Sequence, residues 1–134
     1  MAAIDAQRAR HCPFCTMPAG RIIAINELAY AIRDLYPDTS LHTLIIPKRH
    51  IADYFDLGQA ERHAIHSLME AERDNIRSTD KAVLAFNVAI NCGKDAGQTI
   101  LHCHIHLIPR RRADNADPGR SVLGIVPNEH PNAD

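Results

Sequence analysis

Three histidines at alternate positions form the most reactive group of side chains in this sequence. They are His102, His104 and His106, in the segment LHCHIHLIPRR. Because successive side chains of a strand point to opposite faces, a strand over residues 102–108 would place all three imidazoles on one face. Imidazole can be a metal ligand, a nucleophile or a general acid or base. The spacing therefore predicts either a three-histidine metal site or a nucleophilic histidine with two helpers.

A glycine-containing loop comes directly before these histidines. Glycines let a backbone approach a ligand closely, and neutral amide and hydroxyl groups can hydrogen-bond to phosphate oxygens. The loop, within NCGKDAGQT, contains Asn91, Gly93, Gly97, Gln98 and Thr99. Together with the nearby imidazoles, it predicts an anion site at which negative charge develops during a reaction.

A second group of reactive side chains lies near the N-terminus. Cys12 and Cys15 have C-x-x-C spacing, which is typical of one half of a tetrahedral zinc site. A redox pair is an alternative, but such a pair usually opens a helix that follows a strand, and no strand is predicted before these residues. The alternative without a metal is a pair of reduced thiols packed in the core.

Hydrophobic periodicity predicts the strands that must hold these side chains. Each β-prone run is bounded by turn residues or by a change of period. The expected strands are 21–27, 28–34, 42–48, 81–91 and 102–108. The first two are close enough to pair as a hairpin around Asn26 and Glu27, so an antiparallel sheet is expected.

One long helix is predicted between the third and fourth strands. Apolar residues recur there at three- and four-residue spacing from about Gly58 to Arg77. The charged residues expected on the opposite, solvent-facing side are Glu61, Arg62, Glu70, Glu72 and Arg73. One long helix among consecutive strands indicates an α+β fold.

Composition limits the class of protein. The 134 residues, 46% of them hydrophobic, are enough for one domain with its own core, and the net charge of -1 gives no general attraction to nucleic acid or anionic membranes. No apolar run approaches the roughly 20 residues of a membrane-spanning helix. The N-terminal residues contain no apolar signal-peptide core, so a cytoplasmic protein with reduced thiols is expected.

Four stretches of the chain resemble the histidine triad (HIT) superfamily of nucleotide hydrolases and transferases. They are IRDLYP, HTLIIPKRH, FNVAINCGKDAGQ and HCHIHLIPR, and they occur in the family's order. The resemblance implies a HIT-like fold, with an antiparallel sheet of about five strands, one long helix and short additional helices, and a homodimer. We expect an N-terminal arm with a zinc half-site at 1–20, the catalytic domain at 21–112 and a C-terminal extension at 113–134.

The resemblance also implies a role for each matching residue. His104 corresponds to the nucleophile that attacks the α-phosphate of a nucleotide, His106 to a histidine that contacts the phosphate and the bridging oxygen, and His42 to a supporting histidine on a neighbouring strand. Gln98 and Thr99 match catalytic residues near the phosphate or the leaving group. The residues matching substrate-binding positions are Asp34 at the ribose, Ile32 and Leu35 at the base, Asn91 at the phosphate or the ribose, and Gly97 in the loop before the histidines.

Some branches of this superfamily carry a zinc ion, and the resemblance supplies the missing half of the metal site. His50 and His102 occupy the matching positions, so Cys12, Cys15, His50 and His102 are the expected ligands, with His11 as a competitor. Four protein ligands make a closed, structural site. A metal-bound His102 cannot also act as an acid or base, which leaves proton donation to His106, His42 or water.

Several functions remain open at this point. The first expectation is hydrolysis of dinucleoside polyphosphates such as diadenosine tetraphosphate, with an adenine or other purine nucleotide as substrate and no nucleic acid or membrane partner. A purine nucleoside phosphoramidase, a zinc hydrolase that uses the triad as ligands and a nucleotide-binding module are the alternatives. The basic run Arg110–Arg112 is either a solvated face or a contact for distal phosphates.

Overall fold

The computed structural model of this chain describes residues 11–112. Residues 1–10 of the predicted arm and the predicted extension 113–134 lie outside the described residues. The strands are β1 (Ile22–Ile25), β2 (Ala29–Arg33), β3 (Thr43–Pro47), β4 (Val83–Ile90) and β5 (Ile105–Arg111), and the α-helix is α1 (Gln59–Thr79). Short 3-10 helices span Ala19–Arg21, Tyr54–Asp56 and Lys94–Ala96. The α+β class and the long helix are confirmed.

The five strands form one antiparallel sheet in the order β1-β2-β3-β5-β4. The hairpin between β1 and β2 is confirmed, and Asn26 stabilises its turn because its Oδ1 accepts hydrogen bonds from the N–H groups of Leu28 and Ala29 at 3.1 and 2.9 Å. β5 lies between β3 and β4, and His106 pairs with Leu44 on one side and Ala89 on the other. The sheet therefore holds His106 from both neighbouring strands.

The two faces of the sheet are covered by different parts of the chain. α1 packs on one face, against a core formed by Ala29, Ala31, Ile45, Leu57, Ile65, Leu68, Cys103 and Ile105. On the other face, the N-terminal residues Cys12, Phe14 and Cys15 pack with Tyr30, Ile32, Leu44 and Ile46. Leu44 lies opposite His106 in the sheet, so the histidine face is the one covered by the N-terminal arm.

α1 confirms the predicted apolar side and, on the predicted charged side, the exposure of Arg62 and Glu70 but not that of Glu61 and Glu72. Ile65, Leu68 and Ile76 are buried as expected. Glu61 and Glu72 were expected in solvent and are instead buried, because each forms an ion pair with an arginine of the sheet region: Arg49 for Glu61 and Arg33 for Glu72. Within the described residues, no helix is apolar enough over sufficient length to span a membrane.

The last strand begins later than predicted. β5 starts at Ile105 and continues through Pro109 to Arg111, so the expected strand 102–108 is wrong at both ends. The backbone before Ile105 forms its hydrogen bonds elsewhere: the Cys103 N–H donates to the Ile51 carbonyl at 2.7 Å, and the His102 N–H to the Ile100 carbonyl at 2.8 Å. Only His106 of the three histidines therefore lies on the strand.

Candidate functional site

His104 lies immediately before β5, and its side chain is almost fully buried. Its Nδ1 is 2.8 Å from the backbone carbonyl oxygen of His102. A carbonyl oxygen can only accept, so Nδ1 must carry the proton and the lone pair of the neutral ring must lie on Nε2. The backbone itself thus selects the tautomer with a nucleophilic Nε2.

His42 and His106 form a hydrogen-bonded pair beside His104. The Asp38 N–H donates to His42 Nδ1 at 2.9 Å, so the proton of His42 lies on Nε2. His42 Nε2 is 2.9 Å from His106 Nδ1 and donates to it, which leaves the proton of His106 on Nε2. The rings of His104 and His106 are 5.4 Å apart between centroids. The pair therefore gives His106 the tautomer of a hydrogen-bond donor.

The predicted ribose residue, Asp34, also contacts this pair. Its Oδ2 is 3.5 Å from His42 Nε2, and its Oδ1 accepts a hydrogen bond from the Tyr36 N–H at 3.0 Å. The predicted base-contacting residues differ in position: Ile32 is buried under the N-terminal arm, whereas Leu35 is 64% exposed. The structure thus brings Asp34 to the histidines and separates Ile32 from Leu35 by burial.

The loop before the histidines is braced by Gln98. Its Oε1 accepts from the Gly93 N–H at 2.8 Å, and its Nε2 donates to the carbonyls of Ala52 and Ile100 at 2.9 and 3.1 Å. Gly97 has a positive φ of 98°, which favours glycine. Every hydrogen bond named here for Gln98 goes to backbone, so this side chain holds the loop in shape.

The remaining two loop residues of the predicted site lie closer to the surface. Asn91 is half-buried and its Nδ2 lies 3.4 Å from the Gly97 carbonyl oxygen. Thr99 is exposed. These positions put an amide and a hydroxyl on the loop that directly precedes the histidine segment, where the sequence predicts a phosphate.

Four side chains from three separate segments converge at the other end of the histidine segment. The ligand atoms of Cys12, Cys15, His50 and His102 all lie within 4.8 Å of one another. His102 Nδ1 is 3.3 Å from Cys12 Sγ, 3.5 Å from Cys15 Sγ and 3.2 Å from His50 Nδ1. We call these residues the Cys2His2 cluster. The predicted ligand set is therefore assembled in one place.

The Cys2His2 cluster fits a tetrahedral zinc ion. Zinc bonds of about 2.0–2.1 Å to nitrogen and 2.3 Å to sulfur give a tetrahedron with edges of roughly 3.3–3.6 Å from a nitrogen ligand to the other ligand atoms. The distances from His102 Nδ1 match those edges. His102 Nε2 donates to the Pro47 carbonyl at 2.7 Å, which leaves the lone pair on Nδ1, toward the cysteines. The tautomer of His102 is thus the one that a metal ligand needs.

Burial affects the protonation of this cluster. Desolvation lowers the pKa of His102 to about 4, which keeps the ring neutral as coordination requires. Burial also raises the pKa of the Cys12 thiol, and a bound cation would reverse that cost by stabilising the thiolate. Among the described residues the three histidines do not share a ligand group, since only His102 belongs to the Cys2His2 cluster.

The structure shows contacts of three residues, Phe14, Asp38 and Arg110, that the sequence did not indicate. Phe14 packs edge-on against His104 and His102, with ring centroids 5.0 and 5.7 Å apart. Its position between Cys12 and Cys15 was the available signal, because a metal shared with His102 must bring the intervening phenylalanine to the histidines. The basic run drew attention to Arg110, but nothing in the sequence indicated its contact with Asp38, because the two residues are 72 positions apart.

The sequence of this chain is similar to a known family and to several known proteins. The family model described as the HIT domain matches residues 18–113, a range that includes all five strands and α1. An uncharacterized HIT-like protein of Mycobacterium tuberculosis is 34% identical over 132 residues, covering 88% of this chain and 91% of that protein. The asymmetrical bis(5'-nucleosyl)-tetraphosphatase of Schizosaccharomyces pombe is 33% identical, covering 87% of this chain and 64% of that protein.

A solved structure resembles this chain over nearly its whole length. It is a Zn-bound histidine triad family protein from Mycobacterium smegmatis, with a TM-score of 0.71 and 30% identity, covering 86% of this chain and 90% of that one. A HIT family protein from Bacillus anthracis has a TM-score of 0.73 at 33% identity, covering 80% of this chain and 78% of that one. The fold and the sequence relationship therefore agree.

Proposed function

The chain belongs to the HIT domain family and is an enzyme of its hydrolase and transferase class, and we propose that it hydrolyses a nucleotide at the α-phosphate through a nucleotidyl-His104 intermediate. The observation that carries this proposal is the hydrogen bond of 2.8 Å from His104 Nδ1 to the His102 carbonyl. It keeps the lone pair on Nε2, and a neutral imidazole with a fixed tautomer is a competent nucleophile.

The reaction proceeds in two displacements. In the first, His104 Nε2 attacks the α-phosphorus, a P–N bond forms, and the P–O bond to the leaving phosphate chain breaks. The leaving oxygen accepts a hydrogen bond from His106 Nε2–H and takes its proton from water. In the second, water attacks the phosphorus and gives up a proton to solvent, the P–N bond breaks, and a nucleoside monophosphate leaves with His104 restored. Each step requires hydrogen-bond donors for the charge that develops on the phosphoryl oxygens.

His106 and His42 provide one such donor. The Asp38 N–H holds the proton of His42 on Nε2, from which it is donated to His106 Nδ1 at 2.9 Å. His106 then keeps its own proton on Nε2, where it can donate to a phosphate or bridging oxygen. His42 acts through His106, and Asp34 Oδ2 lies 3.5 Å from His42 Nε2.

The remaining predicted residues are proposed to hold the substrate. Asp34 is assigned to the ribose hydroxyls, and the phosphate-side groups come from the loop before the histidines. The residues proposed for the base are Ile32 and Leu35, and those for the phosphate or leaving group are Asn91, Gly97 and Thr99, while Gln98 acts by holding their loop in shape. The base contacts are apolar, so an adenine or other purine nucleotide fits them without strong base selection.

The Cys2His2 cluster is proposed to hold a structural zinc ion. Its four protein ligands would leave no coordination position for substrate, and the ion would supply a crosslink between the N-terminal arm, the end of β3 and the histidine segment. Coordinated His102 takes no part in proton transfer, so the hydrogen bond to the leaving oxygen comes from His106. The similarity to the Zn-bound relative supports this assignment.

Dinucleoside polyphosphates are the proposed substrates. The support is the similarity to a bis(5'-nucleosyl)-tetraphosphatase, at 33% identity. A purine nucleoside phosphoramidase would use the same first step, with an amine in place of the phosphate chain as the leaving group. The two differ only in the leaving group, so the same experiment can compare them.

The test is intact-protein mass spectrometry after brief mixing with diadenosine tetraphosphate or an adenosine phosphoramidate. We expect an adenylate adduct on the wild-type protein and none on His104→Ala, and the substrate that forms the adduct faster identifies the branch. Hydrolysis that continues in His104→Ala with no adduct on the wild-type protein would contradict covalent catalysis.

We also propose that the protein is a cytoplasmic homodimer that associates through the outer edge of β4. β4 is an edge strand of eight residues, and its Leu84 and Val88 are 59% and 55% exposed. A long edge strand with exposed apolar side chains is a template for pairing with another chain. Val88→Glu should produce a monomer in light scattering, whereas Ile25→Glu on the opposite edge strand should not.

A further inference from the structure

Arg110 of β5 is a buried arginine with two defined partners. Its side chain is only 4% exposed. Its Nε donates to Asn87 Oδ1 at 2.6 Å, and its Nη1 donates to Asp38 Oδ2 at 2.8 Å. Asn87 belongs to β4, whereas Asp38 lies in the loop between β2 and β3. The guanidinium on β5 therefore connects that loop to β4.

The loop between β2 and β3 needs such anchors. Leu41 has a φ of 72°, a left-handed conformation that is unfavourable for a residue with a Cβ. The same end of the sheet holds the loop at two more points: Thr39 Oγ1 donates to the Pro109 carbonyl at 2.6 Å, and Arg111 Nη2 donates to the Ser40 carbonyl at 2.9 Å. Strained backbone persists only where its surroundings hold it, so removing an anchor should let the loop relax.

Asp38 has two roles in this loop. Its carboxylate accepts from Arg110, and its backbone N–H donates to His42 Nδ1 at 2.9 Å. The second contact is what places the proton of His42 on Nε2. An arginine that holds the carboxylate therefore also aims the N–H of the same residue.

We infer that Arg110 is a positioning residue, which through Asp38 fixes the tautomer of His42 and so keeps the proton of His106 on Nε2. It does not touch the reacting atoms. The consequence for rate rests on the proposed function, whereas the consequence for the tautomer does not. Arginine suits this position because its planar fork holds Asn87 and Asp38 from two separate nitrogens in a fixed geometry, which the single nitrogen of a lysine does not reproduce.

The alternative for Arg110 is a direct contact with distal phosphates. Its burial and its two side-chain partners argue against that reading, and kinetics can separate the two. Loss of a phosphate contact made equally in ground and transition states raises KM and leaves kcat unchanged. Loss of positioning lowers kcat with little change in KM.

The experiment compares Arg110→Met, Arg110→Lys and Arg111→Met in the full chain. Arg111 is the matched control: it lies next to Arg110, has the same charge and anchors the same loop at Ser40, but neither Asp80 nor Ser40, to which it donates, is the residue whose N–H donates to His42. Imidazole ¹⁵N NMR reports which nitrogen of His42 carries the proton. Steady-state kinetics on a dinucleoside polyphosphate give kcat and KM.

For Arg110→Met we expect a fraction of His42 protonated on Nδ1 and a kcat lower by about three- to tenfold, the factor that one net hydrogen bond represents. Arg110→Lys keeps the contact to Asp38 and should restore most of both signals, and Arg111→Met should leave the tautomer unchanged. If Arg110→Met does not fold, Asp38→Asn gives the same test, since it weakens the ion pair but keeps the N–H.

Three results would overturn the inference. They are an unchanged His42 tautomer in Arg110→Met, an equal tautomer change in Arg111→Met, and a raised KM at constant kcat. If the tautomer changes as expected but the wild-type protein has no hydrolase activity, the proposed function fails and the positioning role of Arg110 stands.

Discussion

His102 and His104 are two residues apart, and the backbone uses their ring nitrogens in opposite ways. His102 donates from Nε2 to the Pro47 carbonyl and directs Nδ1 toward the cysteines, whereas His104 donates from Nδ1 to a carbonyl and keeps its lone pair on Nε2. Both rings are buried. Burial therefore does not distinguish a metal ligand from a nucleophile here. The distinction lies in which ring nitrogen donates a hydrogen bond to a backbone carbonyl.

The comparison extends to the residues around these two histidines. We call the Cys2His2 cluster the metal end of the histidine segment, and His42, His104 and His106 its catalytic end. An arginine–carboxylate pair lies beside both: Arg49 holds Glu61 next to His50, and Arg110 holds Asp38 next to the His42 contact. The first pair joins the segment after β3 to α1, and the second joins the β2–β3 loop to β5. Each end is thus held by an ion pair that joins distant parts of the chain.

The largest effect is expected at the catalytic end, from His104→Ala. Without the nucleophile, kcat should fall by at least about 10³-fold, because the two-step route is lost. The melting temperature should fall by less than in a variant of the Cys2His2 cluster, since His104→Ala leaves that cluster intact. Steady-state hydrolysis and thermal unfolding of the same sample check both statements, and residual activity within tenfold of wild type would contradict the role of His104.

The metal end should show the reverse pattern in Cys15→Ser. Loss of one thiolate should weaken zinc binding and lower the melting temperature by about 10–20 °C. The reason is that a ligand bound to the native state raises the free energy of unfolding. Elemental analysis and calorimetry measure both effects. The control is Cys92→Ser, a half-buried thiol outside the cluster, which should keep its zinc. Equal zinc content in the two variants would argue against the cluster.

His42→Ala should lower kcat, but by less than His104→Ala does. It removes the donor to His106 Nδ1, so His106 can lose the tautomer that donates to phosphate, and kcat should fall by about 10²-fold. His66→Ala, at an exposed position on α1, is the matched control. Zinc content should stay unchanged in both, so a loss of metal from His42→Ala would break the distinction between the ends.

The smallest effect is expected from the ion pair at the metal end. The Arg49 guanidinium, with help from the Gly58 N–H, lowers the pKa of Glu61 below its usual value of 4.5. A lowered folded-state pKa means that the stabilisation is present above pH 4.5 and is lost as the pH falls through the folded pKa. Glu61→Gln should cost about 1–2 kcal/mol at pH 7 and flatten the pH dependence.

Urea unfolding at pH 7 and at pH 3 measures that difference. Glu70→Gln is the control, because Glu70 lies on the same helix but is half-exposed and pairs with His66 instead of an arginine. If both variants lose equal stability at pH 7, or if Glu61→Gln keeps the wild-type pH dependence, the buried pair has no special weight.

Much of the fold could be predicted because its elements have clear local patterns. The β1–β2 hairpin follows from two β-prone runs around Asn26, and α1 follows from apolar residues at helical spacing. β5 could not be placed correctly, because its start depends on a hydrogen bond from Cys103 to Ile51, a residue outside every strand. Periodicity alone cannot tell an extended segment from a strand without knowing the partner.

The candidate site was predictable in its residue types and less so in its interactions. The four residues of the Cys2His2 cluster follow from spacing and resemblance, and the structure brings them together. The burial of Glu61 was not predictable, because a helical pattern assigns charge to solvent unless the partner, Arg49, is known. The same applies to Arg110, whose partner Asp38 is 72 positions away.

The most direct test of this account is the tautomer of His104 in the zinc-loaded wild-type protein. Long-range ¹H–¹⁵N correlations of the imidazole rings, assigned with single histidine variants, identify the protonated nitrogen of each ring. We predict a proton on Nδ1 of His104 and on Nε2 of His42, His102 and His106. A His104 protonated on Nε2 would deny it the lone pair for attack, and would contradict the account at its centre.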